Sequence, residues 1–216
     1  MLSKDEIERY LQALSEKIYG RFGPSANIKI IIVGGAAIAL NYSFRDSTMD
    51  VDTYSRYSVE LDDLVQEVAK DYGIEKDWLS HNMMVTQSCT SRLTEFTLPY
   101  KLYSGVLDVQ TVDTLSLICM KSVACRPDSH DMEDIVNLLD NDASITFADI
   151  RERFQYLYGD WSLMKIDAQM YLSRRFNAMP PDMYEFMLEQ LPPAVKYGKS
   201  SEELYTLCEE AYRYLR

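Results

Sequence analysis

Ile28-Lys29-Ile30-Ile31-Ile32-Val33-Gly34-Gly35-Ala36-Ala37 is followed, after a short apolar stretch, by Arg45-Asp46-Ser47-Thr48-Met49-Asp50-Val51-Asp52. The β-branched run reads as a buried strand. Gly34 to Tyr42 fits a short helix rich in alanine, and Met49 to Tyr54 a second strand. Side chains at i and i+2 of a strand share a face. Asp50 and Asp52 therefore point the same way, with Val51 turned into the core. Two carboxylates held that close repel each other unless a cation or a proton sits between them. Mg²⁺ suits such a pair, because it takes hard oxygen ligands and is often completed by substrate phosphates. The Gly34-Gly35 turn supplies backbone that approaches phosphates closely at a helix N-terminus.

The rest of the chain bounds this site. Its 216 residues suffice for one large domain or a domain plus a smaller one, and 47% hydrophobic with 26% charged is an ordinary globular balance. The net charge of −12 argues against broad nonspecific binding to nucleic acid, which needs lysines and arginines along a face. No apolar run approaches the ~20 residues that span a bilayer. The opening Met1-Leu2-Ser3-Lys4-Asp5-Glu6 enters a polar helix and lacks the apolar core of a signal peptide. Cys89, Cys119, Cys125 and Cys208 form no CxxC pair and have no histidine at zinc spacing. Reduced thiols in a cytoplasmic protein are the expectation.

Helix signals recur along the chain. Residues 3–19 carry a Ser3/Glu6 capping box with Ile7, Leu11, Leu14 and Ile18 at helical spacing. Val59 to Tyr72 is capped by Ser58 and closed by Gly73. Arg92 to Leu98 and Val106 to Gln110 read as two strands joined by Pro99 to Gly105. Val112 to Cys125 is a helix broken by Pro127-Asp128-Ser129, and another runs from Asp131 to Leu139. Beyond Ile145 no strand is legible. Thr146 with Asp149, Pro180-Pro181-Asp182, and Ser200 with Glu203 mark helix starts there. The expectation is an α+β domain over 1–140, a mixed sheet flanked by helices, with a helical module over 141–216.

Gly-Gly after an apolar strand, a helix, then Asp-x-Asp resembles the opening of the polymerase β-like nucleotidyltransferase fold. The stretch Gly34-Gly35 … Arg45 … Thr48 … Asp50-Val51-Asp52 resembles more closely its AbiEii toxin-like bacterial branch. Lys121-Ser122-Val123-Ala124-Cys125-Arg126 … Asp131 … Asp134 is similar to that branch's second motif, and Asp77-Trp78-Leu79 to a Trp-Leu element between the two. The resemblance covers about residues 28–140.

The resemblance implies transfer of a nucleoside monophosphate from a nucleoside triphosphate to a hydroxyl on tRNA, protein or a small molecule. Asp50 and Asp52 would hold Mg²⁺ and act in catalysis, with Asp108 as the third carboxylate. Lys121 would be both catalytic and phosphate-facing. Gly34, Gly35, Arg45, Thr48, Arg126 and Asp131 complete the implied nucleotide set. Asp131 would orient Lys121 or Arg126, or bind the base or ribose. A toxin paired with an antitoxin partner is the implied setting.

Other readings of these residues stand beside it. Ala36 takes the place where the family commonly has a serine, which favours a catalytically weak member that binds nucleotide or a partner protein. Asp131 and Asp134 fit first-turn acids of a helix, and Arg126 a helix C-terminal cation. Arg45 reads equally as a tether between its loop and Asp50.

Overall fold

The computed structural model describes residues 1–55, 58–179 and 181–214. Pro180, at one expected helix start, lies outside them. The N-terminal part runs β1 (Leu2–Ser3), α1 (Lys4–Phe22), β2 (Ile28–Ile32), α2 (Gly34–Asn41), β3 (Ser47–Thr48), β4 (Val51–Asp52), α3 (Val59–Tyr72) and β5 (Leu79–Ser80). A hairpin follows, β6 (Thr97–Tyr103) and β7 (Leu107–Val112), then α4 (Thr114–Ala124) and α5 (Asp131–Asn141). The remainder is helical among the described residues: α6 (Phe147–Tyr158), α7 (Ile166–Phe176), α8 (Pro181–Gln190), α9 (Pro193–Lys196) and α10 (Ser201–Tyr214).

Local chemistry sets the helix ends. Ser3 Oγ accepts from the Glu6 amide, and the Glu6 carboxylate accepts from the Ser3 amide at 2.9 Å, closing the expected capping box of α1. Thr146 and Asp149 do the same for α6. Asp113 caps α4 through the Ser116 amide at 2.8 Å.

The sheet forms around β2. Its parallel partner is β7, from Ile28 opposite Leu107 to Ile32 opposite Thr111, and β6 pairs antiparallel with β7 on the far side. On the other flank β4 joins β2 through an antiparallel bridge between Ile32 and Thr53. The Val33 amide donates to the Asp52 carbonyl at 2.9 Å, and that of Tyr54 to Ile31 at 2.8 Å. β5 then pairs parallel with β4, Ser80 opposite Asp52. The spatial order is thus β5-β4-β2-β7-β6, a mixed sheet.

Three expectations need correcting. The second strand, expected over Met49 to Tyr54, narrows to Val51–Asp52, with Met49 and Asp50 in a bend before it and Thr53 in a single bridge to Ile32, while Ser47–Thr48 forms its own short pair with Leu2–Ser3. The strand placed at Arg92 to Leu98 starts at Thr97, and Ser91–Glu95 is a 3₁₀ turn. Pro99 lies inside β6 rather than in the connection. It is accommodated there because β6 is the edge of the sheet and its register shifts between Pro99 and Lys101.

One hydrophobic cluster runs from Leu2 to Leu172, so the packing has no break at residue 140. Ile150, Phe154 and Trp161 join the cluster that holds Leu117 and Ile118. Arg153 of α6 donates to both oxygens of Asp113, at 2.7 and 2.6 Å. Lys165 donates its amide to the Ser122 carbonyl at 2.9 Å. These contacts lay α6 and the start of α7 against α4. Cys119, Cys125 and Cys208 are buried free thiols and Cys89 is half-buried. Among the described residues, no helix is long and apolar enough to cross a membrane.

Candidate active site

The chain leaves β2 at Val33 and turns at Gly34, whose φ of +60° lies in the left-handed region that favours glycine. A Cβ at Gly34 would sit 3.7 Å from Asp52 Oδ2. The turn therefore brings bare backbone beside the second aspartate. Gly35 serves a different end. A Cβ there would fall 2.8 Å from Arg45 Nη2 and 2.9 Å from Thr48 Oγ1, so its missing side chain is the space these two occupy.

Asp50 and Asp52 line a cavity of about 440 Å³ with Gly34 and Gly35 on one side. Lys121, Arg126 and Asp131 line it from the α4–α5 turn. Asn82, Met83, Thr86, Gln87 and Ser88 line it from the segment after β5, and Lys165 from the start of α7. Residues about 70 positions apart in the chain thus meet across one space.

The two sides are electrostatically distinct. Asp50 and Asp52 make no ion pair among the described residues. Burial pushes the Asp52 carboxyl up to about 6, and the charge of Asp50 adds to this. Ser80 Oγ, at 3.5 Å from Asp52 Oδ1, opposes the shift only weakly. Loss of water also raises Asp50, and Asp77 nearby reinforces it. The charges of Arg126, and for Asp52 of Lys121, oppose these shifts from across the cavity without overcoming them, so the pair keeps a surplus of negative charge. Two hard oxygen donors in that condition fit Mg²⁺, which is often bound by one or two carboxylates plus substrate phosphates. Among the described residues no third acid, histidine or cysteine joins them.

The opposite side is neutralised from within. Lys121 Nζ lies 2.7 Å from Asp131 Oδ1 and 2.7 Å from Asp134 Oδ2, all three residues buried. Arg126 donates to Asp131 through Nε and its backbone amide, each at 3.1 Å. Burial alone would raise Asp131, but the hydrogen bonds from Arg126 and the charge of Lys121 hold it well below the usual carboxylate range. The Asp134 carboxylate also accepts from Arg45 Nη1. The Pro127-Asp128-Ser129 turn makes this pairing geometrically accessible. Asp128 takes a positive φ of 60°, and Ser129 Oγ bonds both the Arg126 carbonyl and the Asp131 amide.

Seven expected residues therefore line the cavity: Gly34, Gly35, Asp50, Asp52, Lys121, Arg126 and Asp131. Arg45 and Thr48 do not. Arg45 ties its loop to Asp134 rather than to Asp50, and Thr48 is buried against Gly35. Asp134 is a buried ion-pair partner rather than a solvated first-turn acid. Asp108 stands apart. It lies opposite Lys29 at the N-terminal end of the parallel β2–β7 pair, whereas the cavity opens beyond the C-terminal end of β2. Four residues of strand, or ~13 Å, separate Lys29 from Val33. Asp108 accepts from Gln110 Nε2 at 3.0 Å instead. Ala36 is buried in the core and does not line the cavity.

Sequence reasoning missed Ser80, the Asn82–Ser88 segment and Lys165. The signal for β5 was Trp78, which is buried and donates its indole N–H to the Val65 carbonyl at 3.2 Å. The polar residues after it carry no periodicity.

The mixed sheet, the glycine turn facing the aspartates and the helical C-terminal region are those of a nucleotidyltransferase-like α+β protein. Residues 9–154 match the family described as "Nucleotidyltransferase of unknown function (DUF6036)", and the chain belongs to that family. No curated protein and no solved structure matches the chain.

Proposed function

We propose that this protein is a Mg²⁺-dependent nucleotidyltransferase that moves a nucleoside monophosphate from a nucleoside triphosphate to a hydroxyl acceptor. One observation carries this: two carboxylates without ion-pair partners face Lys121 and Arg126 across a single cavity. Asp50 and Asp52 would hold the metal, which supplies charge neutralisation on the triphosphate.

The other residues divide the remaining work. Lys121 has three N–H donors, and Asp131 and Asp134 engage two of them. The third is left for a phosphoryl oxygen. Arg126 is anchored by Asp131 through Nε at 3.1 Å and more loosely through Nη2 at 3.5 Å, and its side chain is otherwise largely exposed. Cations fixed in this way stabilise charge that grows on phosphoryl oxygens without having to reorganise. Asp131 is committed to both cations. Asp50 and Asp52 are therefore the lining carboxylates left to draw the acceptor's proton. Lys165 marks where the C-terminal helices reach the cavity, which suits an acceptor side shaped by them.

The AbiEii-like arrangement of Gly34-Gly35, Asp50-Val51-Asp52 and Lys121 … Arg126 … Asp131 extends the proposal to a toxin of a toxin–antitoxin or phage-defence pair, acting on tRNA or protein in the cytoplasm. Growth arrest on expression, relieved by a protein encoded alongside, tests that extension.

The central experiment incubates the protein with Mg²⁺ and each labelled nucleoside triphosphate, with total tRNA and lysate protein as acceptors. Label transfer that disappears in Asp50→Asn supports the enzyme. Absence of transfer, with nucleotide binding indifferent to Asp50→Asn, overturns the metal assignment.

A further inference from the structure

The cavity is chemically polarised. Its charged lining is Asp50 and Asp52 at β4, Lys121, Arg126 and Asp131 where α4 turns into α5, and Lys165, whereas the segment after β5 contributes only neutral groups: Asn82, Met83, Thr86, Gln87 and Ser88. Phosphates belong with the cations. A neutral wall of amides and hydroxyls suits an uncharged heterocycle with donors and acceptors on its edge.

We propose that Asn82 and Gln87 form a base-reading wall that sets which nucleoside triphosphate the cavity prefers. The proposal rests on the nucleotidyltransferase reading of the cavity. Each amide offers both a carbonyl acceptor and an NH₂ donor, the pair of functions needed to read a base edge. Among the described residues no hydrogen bond occupies either amide, so both are available to a ligand.

The wall is built rather than loose. Asn82–Val85 is a 3₁₀ turn seated by buried Met83. Thr86 Oγ1 donates to the Met83 carbonyl at 2.7 Å and lies 3.0 Å from Ser88 Oγ. Tyr158 of α6 donates its hydroxyl to the Ser88 carbonyl at 2.8 Å. On the other side, β5 is held in register with the aspartate strand through the Thr53 amide and the Ser80 carbonyl, 2.8 Å apart. Hydrogen bonds thus tie the backbone of the wall to the aspartate strand on one side and to α6 on the other, which lowers the cost of ordering it on binding.

The test is binding of ATP, GTP, CTP, UTP and inorganic tripolyphosphate, each with Mg²⁺, to the full chain and to Asn82→Ala, Gln87→Ala and the double variant. The expected result is a preferred nucleotide whose affinity falls roughly threefold to tenfold per amide lost, while tripolyphosphate binding stays constant. The preference among the four then flattens. Asn82→Asp and Gln87→Glu should re-order the preference, because each exchanges a donor for an acceptor. In the alanine variants, an unaltered preference, or a parallel loss for all four nucleotides and tripolyphosphate, overturns the inference while leaving the nucleotide site intact. Failure of the parent chain to bind any of the five ligands overturns the nucleotide site itself.

Discussion

Lys121 Nζ and Asp131 Oδ1 lie 2.7 Å apart and both residues are buried, although a helix end and a proline-containing turn separate them in sequence. The pair holds α5 against α4 and places the Lys121 ammonium at the cavity in the same contact. A charge at that depth is tolerated only when paired. Asp131→Asn should therefore destabilise the fold by on the order of 3 kcal/mol, toward the low end for a broken buried pair because Asp134 still faces Lys121. The urea midpoint of the variant measures it. An unchanged midpoint would show that the pair does not support the fold.

The same variant carries a defined pH dependence. Asp131 is held below its ordinary value of 3.8 by Arg126 and Lys121, which outweigh its burial. A carboxylate depressed in the native state contributes stability that is present above the unfolded value. That contribution is lost as pH falls through the native value. The gap between parent and Asp131→Asn should be full near neutral pH and narrow steadily as acid is added below about pH 4. A gap that stays constant through acid unfolding would contradict the assignment.

Gly35 makes a separate claim about packing. Its absent Cβ is the space for the Arg45 guanidinium and Thr48 Oγ1, and Arg45 in turn binds Asp134. Gly35→Ala must push these groups away, at a cost of about 1–3 kcal/mol. Transfer activity should fall with it, since the displaced arginine shares Asp134 with Lys121. Gly20 in α1 has nothing within 4 Å of a would-be Cβ. Gly20→Ala should stabilise slightly, by under about 1 kcal/mol, and is the matched control in the same thermal melt.

Asp52 and Asp108 lie in strands and Asp50 in the bend just before β4, and the three separate cleanly by position. Asp50→Asn and Asp52→Asn should each lower kcat/KM by at least roughly a hundredfold with the fold intact, as for loss of a group that stabilises transition-state charge. Asp108→Asn should leave kcat/KM within roughly twofold, because this half-buried residue lies away from the cavity. Comparable losses at all three positions would show that the strand polarity argument is wrong.

What the sequence revealed followed from how local each signal is. Ser3 with Glu6 and Thr146 with Asp149 each cap a helix through atoms three residues apart, so both helix starts were legible from spacing alone. The i, i+2 spacing of Asp50 and Asp52 also pointed to one cavity, which both line although Asp50 sits in the bend before β4. Alternation could not say at which end of its strand Asp108 lies relative to the glycine turn, because that depends on β7 running parallel to β2. Asp131 and Asp134 both satisfied a first-turn rule; their burial against Lys121 is a tertiary fact. The Asn82–Ser88 wall left no trace, since exposed polar residues in an irregular segment carry neither periodicity nor caps.

Tyr158 connects that wall to the helical C-terminal region. Its hydroxyl donates to the Ser88 carbonyl at 2.8 Å, one residue from Gln87. Tyr158→Phe removes that hydrogen bond and keeps the ring that packs at 4.9 Å from Phe154. Stability should drop by only about 1 kcal/mol, the net value of one hydrogen bond. If the bond holds the wall in place, the nucleotide KM should rise roughly threefold to tenfold while kcat stays close to that of the parent, since the lost order is spent on binding and not on the phosphoryl groups. A variant whose kcat falls while KM is constant would instead place Tyr158 in the service of the aspartates, through β5 and Ser80.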